Sequence, residues 1–231
     1  VDEHSARRHA DNYRSRWRAL LARCGARDGA GIDTTLAAVQ ARYAEPHRAY
    51  HSWPHIAHVL NLADTHAADI ADRDAVELAI VYHDAVYVPG RGDNESLSAE
   101  LAEGDLGGLG ISAKMIALVS ALVRATAHGM AASSATDAPL DRDILLDLDL
   151  ASLASDPAAY DEFGHKVRRE FAAFSDEQWA RGRSQFWTMM LAQPSIYRTA
   201  KLKAAWEARA RANLERDLAQ FAVQLASGRF S

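Results

Sequence analysis

The chain has 231 residues, 48% hydrophobic and 25% charged, an ordinary globular composition long enough for a sizeable core, so neither a disulfide nor a structural metal is needed merely to fold it. Cys24 is the single cysteine, which excludes an internal disulfide and a thiolate metal cluster and fits a reducing cytoplasm. A net charge of −5 argues against a nucleic-acid partner; a charged N-terminus without a signal-peptide core, and no run near the ~18 apolar residues that span a bilayer, predict a cytoplasmic protein with no membrane partner.

Nearly every segment carries helical period and none alternates as a half-buried strand does, which predicts an all-α, single-domain helical bundle over residues 1–231. The first predicted helix, an accessory element, runs from about Asp2 to Cys24 with Tyr13, Trp17, Leu20 and Leu21 on one face, and stops at Gly25, Gly29 and Gly31. Asp33 is placed to cap a short helix carrying Leu36, Val39 and Tyr43, which Pro46 ends. Ser52 and Pro54 start a helix through Ile70, with Ile56, Val59, Leu60 and Ala63 as its buried stripe. The next, about Arg73 to Tyr87, is apolar nearly all round and reads as a central helix.

After the turn "VPGRG", Asp93 caps a helix holding Glu95 and Ser98, and Ser112 opens another that reaches Thr126 and His128. Residues 129–139 read as a small-residue surface loop. Pro157 starts a helix with Tyr160, Phe163, Val167 and Phe171 on one face. Ser175 with Gln178 forms a capping box for a helix through Leu191, and the last helix runs from about Ser195 to Ser227, ended by Gly228. There is no internal repeat and no linker long enough to split domains.

One dipeptide stands out: His83 and Asp84 sit inside the apolar run "AIVYHDAVYVP". Composition alone predicts about one His-Asp dipeptide in such a chain, so the pair carries no weight by itself. Its setting does, because a buried charged pair costs several kcal/mol per ion unless partners satisfy it. Six of the ten histidines lie between positions 47 and 83, and His47, His51, His55 and His58 recur at steps of four, four and three. Pro54 starts a new segment among them, so His55 and His58 alone are predicted to share a helix face. No His-Glu-x-x-His zinc-protease motif is present.

The order His55, then His83-Asp84, then "DLDLASLA" with Asp147 and Asp149, within an all-helical chain, resembles the HD superfamily of metal-dependent phosphohydrolases. The blocks "YAEPHRAYHSWPHIAHVL", "AIVYHDAVYVPGRGDNESLSAELA", "ATAH", "DLDLASL", "YDEFGHKVRREF" and "ARANLERDL" are similar to its stand-alone bacterial branch, over roughly Arg42 to Leu218. The resemblance implies His55, His83, Asp84 and Asp149, with Asp147 as the fallback, as ligands of one divalent ion. Such a nitrogen and oxygen set suits Mn, Fe, Co, Ni or Mg. It implies Asp84 orienting a water and Glu95 or His128 handling protons; His51, Arg48 and Arg168 inside the matched blocks, and Arg183 and Lys201 outside them, are candidates to meet a phosphorylated substrate, since arginine offers paired donors for phosphate oxygens and lysine a point charge. Asn94 stands where many members have histidine, which favours one ion and weakens an HD-type di-iron oxygenase. His128 is open between a second-site ligand, a leaving-group contact and a helix-end histidine favoured by the dipole. Trp179, Phe186 and Trp187 read as core by their helical spacing. The implied activity is hydrolysis of a phosphate ester or anhydride of a nucleotide or small phosphorylated metabolite, by a monomer or homodimer; the alternatives are the oxygenase and a non-catalytic nucleotide-sensing protein.

Overall fold

The computed structural model describes residues 3–27, 29–127 and 139–228, with the backbone alone for residues 3–12 and 30. Among the described residues ten α-helices follow one another: α1 (Glu3–Arg23), α2 (Gly29–Tyr43), α3 (Trp53–Thr65), α4 (Arg73–Tyr82), α5 (Asn94–Gly108), α6 (Ala113–Ala125), α7 (Pro139–Asp149), α8 (Pro157–Glu170), α9 (Asp176–Ala192) and α10 (Ala200–Ser227). Short 3-10 turns span Ala67–Asp69 and Leu150–Ala154. There is no strand among the described residues, so the fold is all-α as the periodicity predicts. No described helix is long and apolar enough to cross a membrane. His128 and nearly all of the predicted 129–139 loop lie outside the described residues; its last residue, Pro139, opens α7.

Apolar side chains gather in two clusters. The larger draws on α1 to α7 and wraps α4, in which every residue from Ala75 to Tyr82 is buried. The smaller is built from the 150–154 turn and α8 to α10, with Tyr160, Trp187, Met190 and Tyr197 at its centre, while Trp206 of α10 packs against both clusters. Asp149, the last residue of α7, stands where the chain passes from one to the other.

Several helix ends differ from the sequence-based expectation. Helix α2 begins at Gly29 rather than Asp33, whose carboxylate pairs with Arg18 instead of capping. Helix α3 ends at Thr65, followed by a 3-10 turn. Helix α4 stops at Tyr82 rather than Tyr87 because side chains take the next peptide groups. Arg48 donates to the carbonyls of Asp84 at 2.7 Å and Ala85 at 3.0 Å. The Ser98 hydroxyl accepts the Val86 N–H at 2.9 Å and donates back to its carbonyl at 3.2 Å. The Asn94 amide bonds both the N–H and the carbonyl of Val88 at 3.0 Å. A backbone group bonded sideways in this way is lost to the i to i−4 ladder.

Helix α10 likewise starts at Ala200, not Ser195. Glu207 accepts the N–H groups of Ile196 at 3.0 Å and Tyr197 at 3.1 Å. Asp147 accepts those of Arg198 at 2.7 Å and Thr199 at 2.8 Å, and the Thr199 hydroxyl at 2.6 Å. A fully buried Asp147 therefore moors the start of α10 to α7. Replacing it, as in Asp147→Ala, removes three charge-assisted bonds and is expected to cost about 2–4 kcal/mol of unfolding free energy. Urea denaturation measures this; a loss under about 0.5 kcal/mol, the scale of ordinary surface substitutions, would contradict the mooring role.

Candidate metal centre

Four side chains from three places in the chain meet at the seam between the clusters. His55 lies in the first turn of α3, behind the extended Ser52 and Pro54, and is buried. His83 is the C-cap of α4, its N–H still bonded to the Ala79 carbonyl at 2.9 Å, so Asp84 falls just beyond the helix. The helix predicted over Arg73 to Tyr87 would have held both residues, and neighbours on a helix point about 100° apart; the structure ends that helix before Asp84. Leaving the helix turns Asp84 back, and its Oδ2 lies 3.0 Å from His83 Nε2 and 3.8 Å from His55 Nε2. The two imidazole Nε2 atoms are 3.3 Å apart, and Asp149 Oδ1 is 3.2 Å from that of His55 and 3.3 Å from that of His83.

These spacings suit one small cation. Ligand atoms held about 2.1 Å from a common ion lie roughly 3.0–3.4 Å apart at right or tetrahedral angles, and His55, His83 and Asp84 form a candidate metal-binding group on mutual distance, which Asp149 adjoins through the two imidazoles. The donor chemistry fits as well. His83 Nδ1 lies 2.9 Å from the Ile80 carbonyl, which requires Nδ1 to carry the proton and leaves the Nε2 lone pair facing the cluster, the outer-shell bond usual for a metal-binding histidine. The C-terminal end of α4 adds the negative end of a helix dipole. Burial works against a charged His83, yet Asp84 and Asp149 outweigh it and push its pKa well above the ordinary histidine value. Burial opposes the ionised Asp84 as well, and His83 and His51 together hold its pKa below the usual carboxylate range. The site is thus arranged for positive charge between two carboxylates.

Of the other residues the sequence singled out, His51 and Arg183 line a cavity of about 140 Å³ that reaches Asp149, with Tyr50, Phe163, Phe186 and Trp187 among its walls. Arg48, Arg168 and Lys201 do not. Arg48, expected at the phosphate, has a fully buried side chain bonded to Glu45 and to the carbonyls of His51, Asp84 and Ala85, so it fixes backbone. Arg168 closes the end of α8 through the carbonyls of Phe171 and Phe174 and the Asp176 carboxylate. Lys201 is exposed and pairs with Asp69 at 2.7 Å. Asp147, the fallback ligand, faces the start of α10 as described. Glu95 lies in the first turn of α5 and does not join the candidate metal-binding group. His58, predicted to share the face of His55, is exposed. Trp187 is buried core that also walls that cavity, Phe186 packs against the core and lines both it and a second, larger cavity, and Trp179 lines the larger one.

Glu170 is the functional-site residue that sequence reading passed over. Its Oε1 accepts three consecutive N–H groups, of Ala49, Tyr50 and His51, at 2.7, 2.7 and 2.8 Å. Its Oε2 bonds His51 Nδ1 at 2.6 Å and the Tyr87 hydroxyl at 3.0 Å. The signal was present: Glu170 continues the buried stripe of Tyr160, Phe163 and Val167 on α8, and a carboxylate on such a stripe calls for buried partners. No protein-family model, curated protein or solved structure matches this chain with significance.

Two expectations follow from this geometry. Asp149→Ala and His83→Ala should weaken manganese or cobalt binding about 100-fold or more, since even outer-shell changes cost roughly 10–100-fold, while Asp147→Ala keeps the affinity; calorimetric titration reads this, and an unchanged affinity in Asp149→Ala contradicts the site. The second concerns pH. Burial raises the Glu170 pKa, but His51 and the N–H groups of Tyr50 and Ala49 overcome it and hold it at about 2; burial lowers the His51 pKa, but Asp84 and Glu170 raise it overall. The contribution of Glu170 is therefore complete above its unfolded pKa of about 4.3 and fades as pH falls toward 2, and that of His51 is complete below about 6.5 and fades as pH rises through its folded value. Glu170→Gln should cost about 2 kcal/mol or more between roughly pH 5 and 6.5, with a gap that narrows on acidification; denaturation at several pH values checks it, and a gap that widens toward pH 3 contradicts it.

Proposed function

We propose that the chain is a metal-dependent phosphohydrolase of the HD type, cleaving a phosphate ester or anhydride of a small phosphorylated substrate. The observation that carries this is the meeting of two imidazoles and two carboxylates beside a cavity with an arginine on its wall. The guanidinium carbon of Arg183 lies 3.9 Å from the centroid of the Trp187 ring, and its Nη2 is buried with no hydrogen-bond partner among the described residues. Burial lowers its pKa to about 10, which leaves it cationic at neutral pH. Asp217 is near enough to favour the charged form of Arg183, but no hydrogen bond to a carboxylate takes up its buried Nη2 among the described residues, and guanidinium donors suit phosphate oxygens.

His55, His83, Asp84 and Asp149 would hold a divalent ion, which when bound would polarise a phosphoryl oxygen and make a bound water more acidic. The remaining work falls to the chain itself. Asp84, at the mouth of the cluster with a 14% exposed side chain, accepts a hydrogen bond from the attacking water and orients it. Arg183 offsets the charge that builds on the phosphoryl oxygens and holds the ester in place. His51 is fixed through Nδ1 by Glu170, so Nε2 is the atom from which it gives a proton to the leaving oxygen. The new P–O bond comes from water, the bond to the leaving group breaks, and the products are inorganic phosphate and an alcohol or a shorter phosphate. The Asn94 amide is engaged with Val88 and Arg91, which supports one-ion hydrolysis over two-iron oxygen chemistry.

A screen of phosphorylated metabolites, with the protein reloaded with Mn, Co, Ni, Mg or Fe, tests the proposal. At least one compound should release phosphate, with activity reduced about 100-fold or more in His83→Ala and KM raised about 10-fold in Arg183→Met, as for loss of a charge-assisted contact. Turnover that survives in His83→Ala, or tight binding with no product under any metal, would overturn it.

A further inference from the structure

The walls of the cavity beside Asp149 are shared. His51, Val167, Arg183 and Phe186 also bound a second cavity, of about 370 Å³. Its remaining surface is dominated by the rings of Tyr87, Phe171, Phe174 and Trp179. The Phe171 ring lies 5.3 Å from Trp179 and 5.5 Å from Phe174, both tilted. From the opposite side the 88–92 turn presses on Phe174: Gly90 has a φ of +80°, and a Cβ there would sit 2.7 Å from Cζ of that ring. Gly182 lies in the middle of α9, where glycine weakens a helix, and a Cβ on it would meet nothing within 4 Å. Its missing side chain leaves room in the groove.

We propose that this second cavity receives the leaving group of the substrate, and that the leaving group is a planar, apolar aryl ring, so the substrate class is an aryl phosphate ester. The assignment rests on the phosphohydrolase reading above and narrows it. Size permits it, since an apolar cavity of roughly 150 Å³ takes benzene. The wall selects for it: aromatic side chains meet a flat ring in stacked or edge-on contact, and Arg183 lies over Phe163, Trp179 and Trp187 at the junction of the two cavities. The wall also disfavours a sugar or a hydrogen-bonding base. The Tyr87 hydroxyl is bonded to Glu170 and the Gln178 amide oxygen to the Ser175 N–H at 2.9 Å, and the reading above commits His51 and Arg183 to the phosphate, so a polar leaving group gives up water for little in return.

The test compares phenylphosphonate with methylphosphonate, titrated onto the full chain in the presence of manganese and read by tryptophan fluorescence and calorimetry. Wild type should bind phenylphosphonate at least tenfold more tightly. Gly182→Leu, which fills the groove while favouring the helix, should bring the two within about twofold, with methylphosphonate affinity and thermal midpoint retained. Equal affinities in wild type, a preference that survives in Gly182→Leu, or failure of both phosphonates to bind would overturn the assignment. If the aryl preference is present but no phosphate ester is hydrolysed, the preference of the groove for an aryl ligand stands, and the hydrolase reading falls together with the leaving-group role. If esters are hydrolysed and wild type binds the two phosphonates equally, the reverse holds.

Discussion

The loops that carry the histidine and aspartate cluster are held by buried polar side chains rather than by ladders of backbone hydrogen bonds. A buried N–H or carbonyl left without a partner costs about 1–3 kcal/mol, so whichever side chain satisfies it sets the path of the chain. Glu170 gathers the three N–H groups of residues 49–51, and one nitrogen of Arg48 donates to the carbonyls of both His51 and Asp84. The 47–52 loop and the His83-Asp84 corner are thereby fixed to each other through a single guanidinium. Ser98 and Asn94 hold the segment that follows.

This scaffolding explains why the cluster sits at a seam. Two carboxylates and two imidazoles cannot be accommodated inside either apolar cluster without large desolvation costs. At the junction, His55 and His83 reach out from the larger cluster, Asp149 marks the passage to the smaller, and cavities open on the side of α8 and α9. The excess of negative charge between Asp84 and Asp149 is balanced by a proton on His83 or by a cation, and the same arrangement supports both. A seam between two packed bodies also provides space for a substrate without a void in either core.

Much of this was legible in the sequence and some was not, for definable reasons. Apolar period located all of the helices but the one that carries the DLDL block, and the family resemblance carried by the order of His55, His83-Asp84 and the DLDL aspartates named side chains that the structure brings together. Period failed at the ends of α4 and α10, because Arg48, Asn94, Ser98, Asp147 and Glu207 compete for those peptide groups from distant positions that no local pattern displays. The two DLDL aspartates are two residues apart and so lie on different faces of α7; one meets the imidazoles and the other the start of α10. The arginines misled for a related reason. Arginine suits carbonyl clusters and helix ends as well as phosphate, and Arg48 and Arg168 serve the former, whereas Arg183, surrounded by rings, was indistinguishable from them in sequence.

The central claim is that one divalent ion is gripped by residues from α3, the end of α4 and the end of α7. Anomalous diffraction from crystals grown with manganese, recorded near the manganese absorption edge, tests it most directly. The account requires one strong peak within bonding distance of His55 Nε2, His83 Nε2, Asp84 and Asp149. A peak elsewhere, with none between these four side chains, would contradict it.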